Sequence, residues 1–292
     1  MVGSEHAEAI YRYDAFWLER VNARTRAETP TQTLYHYTPD LGGVSGILST
    51  CRMRFGDVRC LNDKIELTYG LRLFRKIVRQ QCNIRDGVVR HFLKPMRDPD
   101  FVRRLFERFH FYTASFGRRD SLHMWNAYGR GGKGFAIGVG ASLFAPNDLA
   151  TIPHDEQYFA GRLRYRQTKV RSLHWQALQF AIGLVKEVSP ERQFLGDLAV
   201  RVYVDAFVTC LTSKEKRWAR EDEQRLFVVE DLMGTRLRTV HRPERPYVEM
   251  AIPKTAFVEV MLGSKVTNSD RDIVAEILGD HGHTAKIMRS AT

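Results

Sequence analysis

The segment with the most reactive combination of side chains in this sequence runs from Trp218 to Arg225. Glu221, Glu223 and Arg225 alternate just before an apolar run, so we expect their side chains on one face of an approaching strand. Two carboxylates on one face repel each other, which raises the pKa of one of them or favours a bound ligand, and the arginine can orient a carboxylate. The alternative interpretation is a solvated, salt-bridged loop.

A histidine inside a short apolar strand is the second candidate. The run Leu34-Tyr35-His36-Tyr37-Thr38 places the imidazole on one face of the strand and two tyrosines on the other. A lone strand histidine is usually a satisfied core residue. The functional interpretation of His36 gains support only when it is joined to the two carboxylates.

Two large aromatic residues form the third candidate. Trp125 and Tyr128 are one helical turn apart. Core packing explains Trp125 well, whereas Tyr128 precedes a glycine turn and is the better candidate for stacking on a planar ligand. Residues 129–134 match G-x-G-x-x-G by letter, but they follow a helix and precede a strand, the reverse of a dinucleotide-binding turn. We expect a sharp backbone turn there.

No motif predicts a resident metal ion. The four cysteines are scattered without a C-x-x-C pair, which also argues against a disulfide framework. His281 and His283 have no third ligand nearby in the sequence.

The elements that must position these residues alternate between helices and strands. The spacing of Ile10, Tyr13, Trp17 and Val21 predicts an amphipathic N-terminal helix that ends before Pro30. Strands are predicted at 32–37, 52–55, 111–116, 135–139, 225–229, 247–252, 256–262 and 284–288. Further helices are predicted at 44–49, from 62 or 63 to about 80, and at 100–109, 121–128, 173–187, 190–211 and 270–278, the sixth with Ser189 as N-cap.

No linker, repeat or low-complexity tract divides the chain. We therefore predict an N-terminal helix, residues 1–30, packed on a single α+β domain of residues 31–292. Its strands would form a mixed or mainly antiparallel sheet with inserted helices. The alternating segment from Arg162 to Arg166 reads as a strand with one cationic face, which is either solvated or anion-binding.

Composition and charge limit the class of protein. The chain has 292 residues, of which 43% are hydrophobic and 27% charged, enough to bury a substantial core. No apolar run is long enough to span a membrane and the first thirty residues do not resemble an export signal, so we expect a cytoplasmic protein with no membrane partner. The net charge of +11 favours anionic partners, among them nucleic acid. The sequence does not predict an oligomeric state.

The chain resembles the bacterial family catalogued as domain of unknown function 2971. The resemblance runs from about Leu34 to Leu278 and follows the order of four motifs. These are Tyr-His-Tyr-Thr at 35–38, Asn-Asp-x-x-Glu at 62–66, Ser-Phe at 115–116 leading to Met-Trp-x-x-Tyr-Gly at 124–129, and Glu-x-Glu-x-Arg at 221–225. One departure is Gln224, where the family more often has an aromatic residue. The family name implies no activity.

More loosely, the order of these residues resembles the His-Tyr-Glu arrangement of ADP-ribosyltransferases. The resemblance implies an ADP-ribosyltransferase-like fold with NAD as substrate and a protein or nucleic acid as acceptor, in a toxin, effector or defence protein of bacterial cytoplasmic origin, whether or not it is delivered into another cell. It assigns catalysis to Glu223, Glu221 and His36, with Glu223 preferred as the group that stabilises an oxocarbenium-like transition state. It assigns NAD binding to His36, Tyr37, Ser115, Trp125, Tyr128 and Arg225.

Two alternatives of other classes stay open. In the first, Asp63, Glu66, Glu221 and Glu223 hold magnesium in a nuclease or nucleic-acid-binding protein. In the second, the chain is a non-enzymatic interaction domain, and His36 and the glutamate pair are structural.

Overall fold

The computed structural model describes residues 2–60, 65–81, 85–146, 157–189, 191–231, 239–240 and 245–292. The helices, in chain order, are α1 (Val2–Glu28), α2 (Leu41–Thr50), α3 (Ile65–Gln81), α4 (Gly87–Leu93), α5 (Pro99–Arg108), α6 (Leu122–Ala127), α7 (Gln167–Glu187), α8 (Arg192–Leu211) and α9 (Asn268–Asp280). The strands are β1 (Leu34–Thr38), β2 (Arg52–Asp57), β3 (Phe109–Phe116), β4 (Phe135–Val139), β5 (Phe159–Arg162), β6 (Gln224–Asp231), β7 (Thr239–Val240), β8 (Tyr247–Ala251), β9 (Phe257–Leu262) and β10 (Lys286–Arg289).

The strands form two sheets, whereas the sequence predicts one. The small sheet has the order β1-β4-β9-β10 and the large sheet the order β5-β6-β3-β2-β8-β7. Every pair is antiparallel except β9 with β10. The α+β class and the mainly antiparallel pairing are therefore confirmed. The prediction of a single sheet is wrong, because β1, β4, β9 and β10 pair among themselves and pack on one face of the large sheet, whose central strands are buried on both faces.

The faces of the large sheet explain the layering. Phe111 and Phe227 lie on one face and pack into a core formed with α3, α7 and α8. Tyr112 and Leu226 lie on the opposite face and pack against side chains of the small sheet such as Ile137. The order of layers is thus helices, large sheet, small sheet.

A backbone contact joins the two sheets at one corner. Tyr35 of β1 and Gly117, just after β3, exchange two N–H···O bonds of 2.9 Å each. This bridge brings the middle of β1 next to the end of β3, which is the place where the candidate residues meet.

The N-terminal helix packs on the helical layer and on the large sheet. The Glu28 carboxylate accepts from the Arg164 guanidinium at 2.6 Å, and the Arg20 guanidinium donates to the buried carboxylate of Asp205 on α8. Helix α1 is therefore tied to both layers by ion pairs as well as by its apolar face.

Several local expectations differ from the structure. Helix α8 begins at Arg192 with Glu191 as N-cap, so the prediction of Ser189 as N-cap is wrong, while Pro190 lies outside the described residues. Helix α4 and the short strand β7 were not predicted, and β5 lies just before the strand predicted at Arg162–Arg166, with which it shares Arg162. No helix among the described residues is long and apolar enough to cross a membrane.

Candidate functional site

Glu223 lies at the centre of a buried network of charges. Its Oε1 accepts hydrogen bonds from Ser115 Oγ at 2.5 Å and from Arg225 Nε at 2.6 Å. Its Oε2 lies 3.3 Å from Lys214 Nζ. Glu223, Arg225 and Lys214 are each no more than 3% exposed, so these charges interact with little screening by water.

Glu221 joins the same network through Lys214. The Lys214 Nζ donates to Glu221 Oε2 at 2.6 Å, and so bridges the two carboxylates. Glu221 Oε1 lies 3.4 Å from His123 Nε2, whose side chain is 42% exposed. The Lys214 ammonium also lies over the Trp218 ring, at 5.1 Å from its centroid. Glu221 is thus the member of the pair that faces the protein surface.

The backbone between the two glutamates explains why both point inward. Glu221 ends a 3₁₀ turn, and Asp222 takes a left-handed conformation with φ of 43° before β6 begins. The Asp222 side chain points outward and accepts from the exposed guanidinium groups of Arg118 and Arg162. The alternation predicted from the sequence therefore places Glu221, Glu223 and Arg225 together, although a turn and not a strand produces it.

The environment drives the pKa values of the two carboxyl groups apart. Burial raises the pKa of Glu221, since the Lys214 contact offsets it only in part and the negative Glu223 adds to the shift. Burial acts in the same direction on Glu223, but Arg225 and Lys214 outweigh it and lower the pKa of Glu223 to about 2. Glu223 is therefore the carboxylate that stays ionised.

His36 lies on the face of β1 that points toward the large sheet. Its Nδ1 is 3.0 Å from the Ser115 carbonyl oxygen, and because a carbonyl only accepts, Nδ1 carries the proton. Burial lowers the pKa of His36, so the ring is neutral at pH 7 and Nε2 is an acceptor. A neutral imidazole fixed in one tautomer is suited to hold a hydroxyl group.

The structure brings together residues from three separate parts of the sequence. His36 on β1 donates to the Ser115 carbonyl on β3, and the Ser115 hydroxyl donates to Glu223 at the start of β6. Arg225 pairs with Ser115 across the β3–β6 ladder. Four of the predicted site residues therefore form one hydrogen-bonded chain.

A cavity of about 430 Å³ opens beside His36. Its walls are the end of β1, the first turns of α2, and the basic edge formed by Arg52 and Arg54. Arg54 Nε donates to Glu249 Oε1 at 3.2 Å, whereas the Arg52 side chain donates to the Glu249 carbonyl oxygen at 3.0 Å and keeps donors for a ligand. The cavity combines an imidazole acceptor with two arginines and two carboxylates, Asp40 and Glu249, while Glu223 lies behind His36 and is not among the described lining residues.

The aromatic side chains predicted to bind NAD lie on the other face of β1. Tyr37 OH donates to the Arg118 carbonyl at 2.7 Å and accepts from the Ser121 amide at 3.0 Å. Trp125 is 1% exposed and its Nε1 donates to Asp120 at 2.8 Å. Tyr128 packs against the same cluster as Tyr37 and Trp125. These three side chains share a small core under α6, on the face of β1 opposite to His36.

The sequence did not single out Lys214, which is the cation shared by both glutamates. It follows the end of α8, and its backbone amide donates to the Arg164 carbonyl at 3.1 Å. Tyr165 was missed as well; its hydroxyl accepts from the Glu223 amide at 3.1 Å. No sequence signal identifies Lys214, which lies seven residues before Glu221 in a segment that has no helical or strand periodicity.

The glycine-rich run forms a turn, as expected. Gly131 and Gly132 have φ of 63° and 87°, and the Gly263 amide donates to the Gly134 carbonyl at 2.9 Å.

The prediction of a cationic strand at Arg162–Arg166 is wrong beyond Arg162, where β5 ends. Asp63 and the side chain of Glu66 lie outside the described residues.

No known family model matches the chain, and neither a curated protein nor a solved structure matches it. The resemblance to the family of unknown function therefore stays a hypothesis that rests on its four motifs.

Proposed function

We propose that this protein is an NAD-dependent ADP-ribosyltransferase, with a protein or a nucleic acid as acceptor. The observation that carries the proposal is the hydrogen-bonded chain from His36 through Ser115 to Glu223. A resemblance based on sequence order alone does not require these residues to meet. We also propose that the two-sheet architecture is the ADP-ribosyltransferase-like one and that the chain belongs to the family its motifs resemble.

In the proposed reaction, the bond between nicotinamide and the ribose anomeric carbon breaks, and nicotinamide leaves with the bonding electron pair. A nucleophilic atom of the acceptor then forms a bond to that carbon and loses its proton to solvent. His36 Nε2 would accept from a ribose hydroxyl, and the ionised Glu223 would stabilise positive charge developing on the sugar. Arg52 at the cavity edge is suited to the diphosphate.

The hydrogen bonds and ion pairs that the Glu223 carboxylate already makes set a condition on this mechanism. Both of its oxygens already have donors within the protein, and the side chain is 3% exposed. A ribose hydroxyl must therefore replace one donor, and Ser115 is the neutral one of the three. We propose that Ser115 gives way on substrate binding while Arg225 and Lys214 keep the carboxylate ionised.

Tyr37, Trp125 and Tyr128 have a supporting role in this proposal. Their place under α6 fixes the outer face of β1 and hence the orientation of His36. The geometry does not favour the magnesium alternative, because Lys214 and Arg225 occupy the oxygens of Glu221 and Glu223 that a cation would need.

The test is release of nicotinamide from NAD by the purified full chain, with and without extract as acceptor and with a chelator present. We expect Glu223→Gln to reduce the rate about 10²- to 10³-fold, because it removes the charge and keeps the shape. His36→Ala should reduce it about tenfold or more through lost orientation.

A matched control is Asp205→Asn, which neutralises an equally buried carboxylate in the helical layer. It should leave the rate per folded molecule within about twofold. Release of nicotinamide that is equal in wild type and Glu223→Gln, or absent with every acceptor, contradicts the proposal. Cleavage of nucleic acid that the chelator abolishes supports the magnesium alternative instead.

A further inference from the structure

A second cavity, of about 790 Å³, lies in the helical layer. It is formed where the C-terminal ends of α3 and α4 meet the N-terminal end of α8. Its apolar part consists of Pro95, Leu195 and Gly196. A volume of this size lies within the range of ligand-binding pockets, which is about 300 to 1,000 Å³.

The rim of this cavity is strongly cationic. Arg79, Lys94, Arg97 and Arg192 line it, and Asp98 is the single carboxylate beside them among the described lining residues. Asp98 is occupied as the N-cap of α5, where it accepts from the Asp100 amide. These residues therefore bring four positive charges and one negative charge to the cavity.

The four rim cations have no acid partner among the described residues, whereas some arginines elsewhere in the protein do. Arg12, Arg108 and Arg201 each contact a carboxylate within 3 Å. Within the part of the chain that the structure describes, no carboxylate lies within 4.0 Å of the charged groups of these four residues. The four residues are exposed, and their charges together raise the positive potential around the concavity, which favours an anion.

The first turn of α8 adds to the positive potential. Glu191, its N-cap, makes no capping hydrogen bond with its side chain and lies instead 3.5 Å from the His6 ring. The first backbone N–H groups of α8 therefore receive no side-chain hydrogen bond from the cap residue. His91 on the rim offers a further nitrogen for a hydrogen bond or for stacking.

We propose that this cavity binds a phosphorylated small molecule of the nucleoside diphosphate class. The cations of the rim suit a chain of two or more phosphates, and the apolar wall suits a base or sugar ring. This site lies in the helical layer, whereas His36 and Glu223 lie at the junction of the two sheets. The proposal therefore stands independently of the transferase activity.

Calorimetric titration of the full chain tests the proposal, with ADP, inorganic pyrophosphate and adenosine as probes. We expect ADP to bind most tightly, pyrophosphate more weakly and adenosine weakest, because the phosphates supply most of the affinity and the nucleoside adds contacts with the apolar wall. Arg97→Gln combined with Arg192→Gln should weaken ADP binding at least about tenfold. Lys76→Gln combined with Arg104→Gln removes the same charge from exposed positions outside the cavity and should change it less than about twofold.

A steric pair of variants separates the cavity from general electrostatics. A Cβ at Gly196 meets no atom within 4 Å, so Gly196→Phe should fill the cavity without changing charge and abolish ADP binding. Gly183→Phe is the control, because Gly183 is also helical, half-buried and free of neighbours at its Cβ.

Three results would overturn the proposal. The first is no binding of either ADP or pyrophosphate by the wild type. The second is ADP binding that survives both Gly196→Phe and the double substitution at the rim. The third is a single-stranded oligonucleotide that binds at least about tenfold more tightly than ADP and loses that affinity in the same variants, which assigns the rim to nucleic acid.

Discussion

Lys214 and Arg225 face two buried carboxylates, and each cation is nearly inaccessible to water. At this depth the cost of removing a charge from water is high, and only close pairing offsets it. The network therefore constrains the local fold as strongly as it constrains chemistry. Any substitution that removes one of these charges leaves at least one other buried charge with fewer partners.

Arg225→Met tests how much this buried pairing of charges contributes to stability. It leaves Glu223 with one cation in place of two, so we expect the free energy of unfolding to fall by about 3 to 5 kcal/mol in urea denaturation. Arg118→Met is the control, since it removes an arginine whose side chain is 62% exposed from its pair with Asp222. It should cost less than about 1 kcal/mol. Equal losses in the two variants would mean that Arg225 is as well solvated as Arg118.

The low pKa of Glu223 predicts a pH dependence of stability. Its pKa is about 2 in the folded protein and 4.5 ordinarily, so its contribution is complete above about pH 5 and is lost as the pH falls from 4.5 toward 2. The stability difference between wild type and Glu223→Gln should therefore shrink by about 1 to 3 kcal/mol between pH 6 and pH 3. Denaturation at several pH values measures it, and a difference that grows toward low pH would contradict the assignment.

At the scale of elements, the glycine turn between α6 and β4 holds the site in place. Gly134 approaches the Thr38 carbonyl so closely that a Cβ would collide with it, and Thr38 ends the strand that carries His36. The turn thus fixes the position of β4 along β1. The backbone, and not a side chain, makes this contact.

Gly134→Ala should therefore separate β4 from β1 and lower the free energy of unfolding by about 2 kcal/mol or more. Gly46→Ala is the matched control, because Gly46 lies within α2 and its Cβ would meet nothing within 4 Å. It should raise stability by up to about 1 kcal/mol, since alanine favours a helix. Thermal denaturation distinguishes the two, and a stable Gly134→Ala would show that β1 can move away.

Most elements could be predicted from local pattern. The five buried residues of β4 and the Ser121 cap of α6 follow from apolar runs and capping chemistry. The meeting of Glu221, Glu223 and Arg225 also follows from their alternation. Lys214 could not be predicted, because its contact with them depends on how α8 ends against the large sheet, which is a long-range property.

At the scale of the whole molecule, the division into two sheets was not predictable from strand order. A pattern of apolar residues shows that a strand is buried on both faces, but it does not show which strand lies beside it. β2 and β3 join the large sheet, whereas β1 and β4 on either side of them in the chain join the small one. Only the tertiary pairing distinguishes one sheet with inserted helices from two.

The ion pair between α1 and α8 predicts that the layers unfold together. Arg20→Met leaves the buried Asp205 carboxylate without its closest cation, so we expect a loss of about 3 to 5 kcal/mol. If unfolding is cooperative, hydrogen exchange should show an equal loss of amide protection in α8 and in distant β4. Adding Asp205→Asn to Arg20→Met should restore part of the lost stability. Loss of protection confined to α1 would instead identify that helix as a separate unit.

The order β1-β4-β9-β10 has a consequence for synthesis on the ribosome. β1 and β4 emerge early, but β9, which covers the free edge of β4, starts only at residue 257 of 292. Until then the nascent chain presents the apolar edge Phe135–Val139, which is the kind of segment that pairs with other chains. We therefore expect this protein to depend on a chaperone during translation and a chain stopped before β9 to aggregate.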